Sequence, residues 1–206
     1  FDRQICGMRF NLELASGENK DSEVIAKAAP DFEGMKGLED YFRKEIGKSV
    51  AFVRDAEPVL PGVYPVLLSP EATGVFTHES FGHKSESDFM VGDETMMAEW
   101  ALGKTIGREL LTIVDDGTVN GTGYTTYDDE GTRGRKNRII TGGKLTGRLH
   151  SAATAAALEE GLTGNARAVN FEFEPIVRLT TTYIEKGDRP LKEIIAETEN
   201  GIYVET

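Results

Sequence analysis

The chain has 206 residues, an apolar fraction of 39% and a formal net charge of −12. That length suits one large domain or two small ones with a real core. The acidic balance excludes a non-specific nucleic-acid surface, which needs clustered Lys and Arg, and no apolar run approaches the ~20 residues of a membrane span. The single cysteine, Cys6, excludes an intramolecular disulfide and a zinc site made of cysteines alone, and it fits a reducing compartment. The opening "FDRQICGMRF" has neither Met nor a signal pattern, and the closing "GIYVET" reads as the middle of a strand. The sequence is therefore expected to be a fragment of a longer polypeptide.

In chain order, "ICGMRFNLEL" alternates, with Cys6, Met8, Phe10, Leu12 and Leu14 on one face, as in a half-buried strand. "ENKDS" reads as a loop. Helical patches are expected around Glu23–Ala29 and Gly37–Arg54, the second with Leu38, Phe42, Ile46 and Val50 at four-residue steps. Pro58 and Pro61 then break the chain, and "VYPVLLS" reads as a short buried strand. Glu94–Gly103 is expected to be helical, and "ELLTIVDDG" a strand with an acidic turn. Asn120-Gly121-Thr122 matches a glycosylation sequon but reads as a turn. "NRIITGGKLTGRL" predicts a hairpin turning at Gly142-Gly143. "SAATAAALEEG" predicts a helix capped by Ser151 and stopped by Gly161. "FEFEPIVRLTTTY" is β-rich, and "GDRPLKEIIAET" places Asp188 near a helix start with Pro190 in its first turn. Strands outnumber helices and the hairpin favours antiparallel pairing, so the class is α+β: a largely antiparallel sheet with the segment around residue 78 on a helix packed against it.

That segment, residues 76–84, reads "FTHESFGHK". Neutral imidazoles bind zinc, the metal acidifies a bound water, and a nearby carboxylate takes the proton. His78 and His83 would be ligands and Glu79 the base. The spacing is unusual, because a residue five positions on lies about 140° round a regular helix. A π-bulge would bring the two together, and Gly82 could let the helix bend. The alternative is a surface His78, a His83 that caps a helix, and a solvated Glu79. Two of the three histidines fall here, after a strand-like run. Glu86 and Asp88 stand just beyond; they could orient the imidazoles, although each taken singly reads as part of a solvated acidic turn.

"HESFGHKSESD" resembles the H-E-x-x-G-H-x-x-E-x-D segment of the TldD/PmbA family, known as modulators of DNA gyrase. The resemblance continues in order through "VDDGT", "YDDEGT", "IITGGKLTGRLHS", "LTGNAR", "PIVRLTTTYIEKGD" and "NGIYVE". It implies a cytoplasmic zinc-dependent peptidase that trims leader peptides and degrades unfolded ones. It also implies a homo- or hetero-dimer with a related subunit, while the acidic charge and the lack of a long apolar run argue against direct nucleic-acid or membrane contact. By position, His78 and His83 would be zinc ligands and Glu79 the catalytic base. The family's third ligand is a cysteine in a Gly-rich segment downstream of the stretch resembling "NGIYVE", outside this chain, and Cys6 does not correspond to it. Residues 1–60 are then expected to be part of an N-terminal or linking region. Residues 61–206 would be the metallopeptidase core, truncated at its C-terminal end.

Other candidates are weaker. "TGGK" lacks the first glycine and the final Ser or Thr of a phosphate loop. "GTGYTT" reads as a loop, and "YDDEGT" as an acidic surface turn rather than a cation site. His150 reads as a hydrogen-bonded structural histidine and Arg178 as a structural ion-pair partner, although either could serve the site. The competing function is non-enzymatic: a regulatory or binding protein, or one inactive for want of the third ligand.

Overall fold

The computed structural model describes residues 6–29 and 31–205. The chain forms two compact units, one running to Val63 and including Asn120–Thr122, the other made of Tyr64–Val119 and the chain from Gly123 onward. Among the described residues no helix is long and apolar enough to cross a membrane.

The first unit holds a long hairpin and a helix. Strand β1 (Cys6–Ser16) pairs antiparallel with β2 (Asn19–Ala29) over its whole length. Ile5, first in the expected strand, lies outside the described residues. The loop expected at "ENKDS" and the helix at Glu23–Ala29 are both strand. The only loop is Gly17-Glu18, where Gly17 takes φ +62°, the conformation a two-residue hairpin asks of its glycine. Tertiary pairing overrides helix propensity here, because β1 offers β2 an eleven-residue ladder of partners. Helix α1 (Glu39–Asp55) covers the hairpin. Its buried face is Phe42, Ser49 and Val53, whereas Ile46 and Val50 are exposed. A strict four-residue step rotates about 40° each time, so the expected series Leu38–Val50 drifts off the packed face. Phe10 meets Phe42 edge-on at 4.6 Å.

In the second unit, β3 (Val66–Leu68) leads into α2 (Pro70–Thr77), followed by a π-turn (His78–Gly82) and 3₁₀ turns at His83–Ser85 and Ser87–Phe89. β3 is short and largely exposed, not the buried strand expected of "VYPVLLS". Helix α3 (Glu94–Glu99) stops short of Gly103. Strand β4 (Ile113–Asp116) is buried throughout, so its aspartates are not an acidic turn. Strands β5 (Lys136–Thr141) and β6 (Lys144–Leu145) form the expected hairpin, with φ +57° and +75° at Gly142 and Gly143. Helix α4 (Ala152–Leu158) carries a reciprocal capping box of Ser151 and Thr154, but it ends with Glu159 in the left-handed conformation, before Gly161. The "FEFEPIVRLTTTY" run yields only β8 (Ile176–Val177), paired with β7 (Ala166–Arg167), and the start of β9 (Thr182–Ile184). Phe171 and Phe173 are exposed in turns. Helix α5 (Leu191–Glu197) follows Pro190, which sits at the N-cap itself. Strand β10 (Ile202–Val204) pairs parallel with β3.

The central sheet is antiparallel in the order β6-β5-β4-β9. Its apolar residues join Met90, Trp100, Leu149 and Leu179 in one core, and α2 packs on the edge strand β9. The fold is α+β, with the histidine segment on a helix packed against the sheet.

Candidate metal centre

The helix that carries the motif begins with a clear local signal. Ser69 caps α2 by accepting the Ala72 N–H at 3.0 Å, and Pro70 takes the first position, where its missing N–H is not needed. After Thr77 the ladder widens: the His83 N–H donates to the His78 carbonyl, an i→i+5 bond. This is the π-turn that the five-residue spacing requires. The two imidazoles meet edge-on with ring centroids 4.6 Å apart. One ligand atom from each of His78, Glu79 and His83 lies within 4.8 Å of the others, with both histidines half-buried and Glu79 exposed.

The turn is seated by its neighbours. Phe81 packs against the sheet core. Gly82 lies so close to Leu179 that a Cβ would stand 2.8 Å from Leu179 Cδ1. Ser85 donates to the Phe81 carbonyl at 2.7 Å and accepts the Trp100 indole N–H at 3.1 Å. Glu86 and Leu149 form an isolated parallel bridge: Leu149 N–H donates to Ser85 O and Ser87 N–H to Leu149 O. Apart from the Ser85–Phe81 bond, these supports join residues distant in the chain and do not announce themselves in sequence; the Ser69-Pro70 pair is the local signal that could have marked the helix start, where the sequence reading expects the end of a strand.

Glu86 is 1% exposed, so the solvated-turn reading fails for it. Its Oε2 lies 3.2 Å from His83 Nδ1, and its Oε1 lies 3.7 Å from Arg178 Nη1 without a hydrogen bond. Burial raises its pKa above the ordinary glutamate value. The His83 hydrogen bond and charge and the Arg178 charge oppose that rise, and Asp88 adds to it. If His83 donates from Nδ1, its Nε2 carries the free lone pair, the usual way a carboxylate fixes a metal-binding tautomer. Asp88 does not share this task and accepts the Val177 N–H instead. His150 is buried and occupied by Ser87, Thr154 and Glu160; it is not in the cluster, and the structural reading holds. Arg178 is an ion-pair partner. Asp128 of "YDDEGT" is buried, not a surface acid, and accepts the backbone N–H groups of Glu130, Thr132 and Ala166. Cys6 belongs to the other unit.

Two imidazoles and a carboxylate are donors suited to a borderline transition metal such as zinc. Among the described residues this cluster supplies two histidines, one fewer than the three protein ligands usual in a catalytic zinc site. The residues present fit a metal as a partial site.

Residues 61–206 match the PmbA/TldA metallopeptidase C-terminal domain, and the chain belongs to the PmbA/TldD family. Relatives include a metalloprotease of Methanocaldococcus jannaschii, 41% identical over 150 residues, which are 72% of this chain and 33% of that protein. A zinc metalloprotease TldD homolog of Saccharolobus solfataricus is 36% identical over 145 residues, 69% of this chain and 32% of that one. The chain thus spans about a third of the length of these relatives. In structure it superposes on TldE from Thermococcus kodakarensis with a TM-score of 0.75, covering 98% of this chain and 45% of that one at 23% identity, a likeness of fold.

Proposed function

We propose that the chain supplies the histidine pair and the general base of a zinc-dependent peptidase. His78 and His83 would hold the ion, with a third ligand from the cysteine that the family resemblance places outside this chain. A bound zinc ion would polarise the scissile carbonyl and lower the pKa of a water toward about 7. Glu79 is exposed beside the two imidazoles, where its carboxylate can take the proton of the attacking water and later return it to the leaving amine. Glu86 would hold the His83 ring through Nδ1. The observation that carries this reading is the i→i+5 bond, which brings histidines five apart onto one side of the helix.

The peptide would be unstructured or a leader segment, taken in extended form. Backbone pairing at a sheet edge binds such chains with little sequence demand, and β9 is the edge strand beside the π-turn. Assembly with a related subunit follows from the same family resemblance.

The decisive variant is Glu79→Gln in a polypeptide that includes the third ligand. It should keep its zinc by elemental analysis and lose cleavage of an unstructured peptide. Retained cleavage would remove Glu79 from the mechanism, and lost zinc would make it a ligand. The 206-residue chain alone should bind zinc weakly; tight, stoichiometric zinc would show that the third ligand lies within it.

A further inference from the structure

Strand β5, the segment after β6 and the segment after α4 line a depression of 340 Å³. Arg135, Lys136, Arg138 and Arg148 contribute four cations to its wall, against the single carboxylate of Glu160, in a chain of net charge −12. Two carboxylates answer part of this charge. Glu160 pairs with Arg148 and, through its other oxygen, with His150 at 3.1 Å. Glu185 pairs with Lys136 and also feels Arg138. Two positive charges remain over, on exposed guanidinium groups that have no salt-bridge contact among the described residues. Arg148 adds a second, independent sign. Its side chain is 3% exposed; one terminal nitrogen reaches Glu160 and the other the Trp100 carbonyl at 2.8 Å. Its Nε–H is buried with no hydrogen-bond acceptor. A buried donor left unpaired is costly, and an ordered water or a bound ion is one way such a group is satisfied.

We propose that this depression binds the phosphate group of a small molecule. Guanidinium forks match the oxygens of phosphate or carboxylate in pairs. Charge separates the two: a phosphate monoester carries about −1.5 to −2 at neutral pH, close to the uncompensated charge of the wall, whereas a carboxylate answers half of it. The volume is at the small end of ligand sites, about 300–1,000 Å³, which leaves room for the phosphate and a short organic group. The site shares no residue with the His78–His83 cluster.

Arginine Nε–H resonances of the nitrogen-15-labelled chain provide the test. The chain is titrated with inorganic phosphate, with glycerol phosphate and with acetate, each against chloride at matched ionic strength. Saturable shifts of Arg135, Arg138 and Arg148 are expected with both phosphates, and binding of acetate at least tenfold weaker. Arg135→Gln and Arg138→Gln replace exposed side chains and should each weaken phosphate binding about tenfold, with amide resonances remote from the depression unmoved. Arg138→Lys, which keeps the charge and loses the fork, should fall between. Tighter binding of the ester than of inorganic phosphate would assign the extra volume to its organic part; equal binding would assign the site to the phosphate alone. Shifts no larger than those of chloride, acetate binding as tight as phosphate, or unchanged affinity in both glutamine variants would overturn the proposal.

Discussion

Replacing Asp115 by asparagine changes one atom's chemistry in the middle of the sheet and almost no volume. Asp115 is fully buried in β4. Its Oδ1 accepts the Thr180 N–H at 2.9 Å and the Thr182 hydroxyl at 2.8 Å; its Oδ2 accepts the Asn165 amide at 2.7 Å and the Thr180 hydroxyl at 2.7 Å. A threonine hydroxyl can turn and accept from the new NH₂, but an N–H cannot. If the NH₂ replaces Oδ1 it opposes the Thr180 N–H. If it replaces Oδ2 it opposes Asn165, whose amide is fixed by its own bonds to Arg178 O and from Asn137. Either orientation forfeits one charge-assisted bond, about 1.5–3 kcal/mol, and strands a buried donor, about 1–3 kcal/mol more. Asp115→Asn should therefore destabilise this unit by about 2.5–6 kcal/mol. Trp100 is the single tryptophan, is buried and lies in the same unit, so its fluorescence follows urea unfolding there. With a slope of about 2 kcal/mol per molar urea, the midpoint should fall by about 1–3 M. Thr182→Val, which removes one donor and leaves the carboxylate, should cost less. A loss below about 1 kcal/mol in Asp115→Asn would refute the carboxylate as the hub of this network.

Glu86→Gln should weaken zinc binding about tenfold, read by competition with a chromophoric chelator, because the carboxyl group that holds His83 is replaced by an amide. Gly143→Ala should cost at least ~2 kcal/mol in the same urea assay: its φ is +75°, and a Cβ would stand 2.4 Å from the Gly107 carbonyl oxygen, which belongs to rigid backbone. Ser151→Ala, which breaks the capping box of α4, should cost about 1 kcal/mol.

Local chemistry was legible in the sequence, and the pairing that overrides it was not. The Gly142-Gly143 turn and the Ser151 cap depend on residues a few positions apart, and both stand where sequence reasoning puts them. β2 went unread because Glu23–Ala29 has no preference strong enough to resist the ladder that β1 offers. "FEFEPIVRLTTTY" alternates like one long strand, yet its two phenylalanines end in exposed turns, because no strand among the described residues pairs with them. At the candidate site the histidines and Glu79 were visible as residue types. Glu86 looked like one acid among several until Leu149, over sixty positions away, paired alongside it and shut out water. Acidic residues close in sequence can thus have unlike environments, and only the long-range contact separates them.

The same reasoning explains why a five-residue spacing is workable here. In an unbroken α-helix His78 and His83 would diverge by about 140°. The extra residue in the π-turn absorbs that angle without lifting the helix off the sheet, because Phe81 and Gly82 lie between the histidines in sequence and keep their own contacts with the core and with Leu179. A π-turn is rarely stable by itself. This one is closed by the His83 N–H on the His78 carbonyl and backed by the Ser85 hydroxyl on the Phe81 carbonyl, Ser85 being held in turn by the Trp100 indole and the Leu149 amide. Buried polar groups with directional partners therefore support the turn that carries the two imidazoles. Trp100 and Leu149 thus brace the turn through Ser85 without belonging to the metal cluster itself.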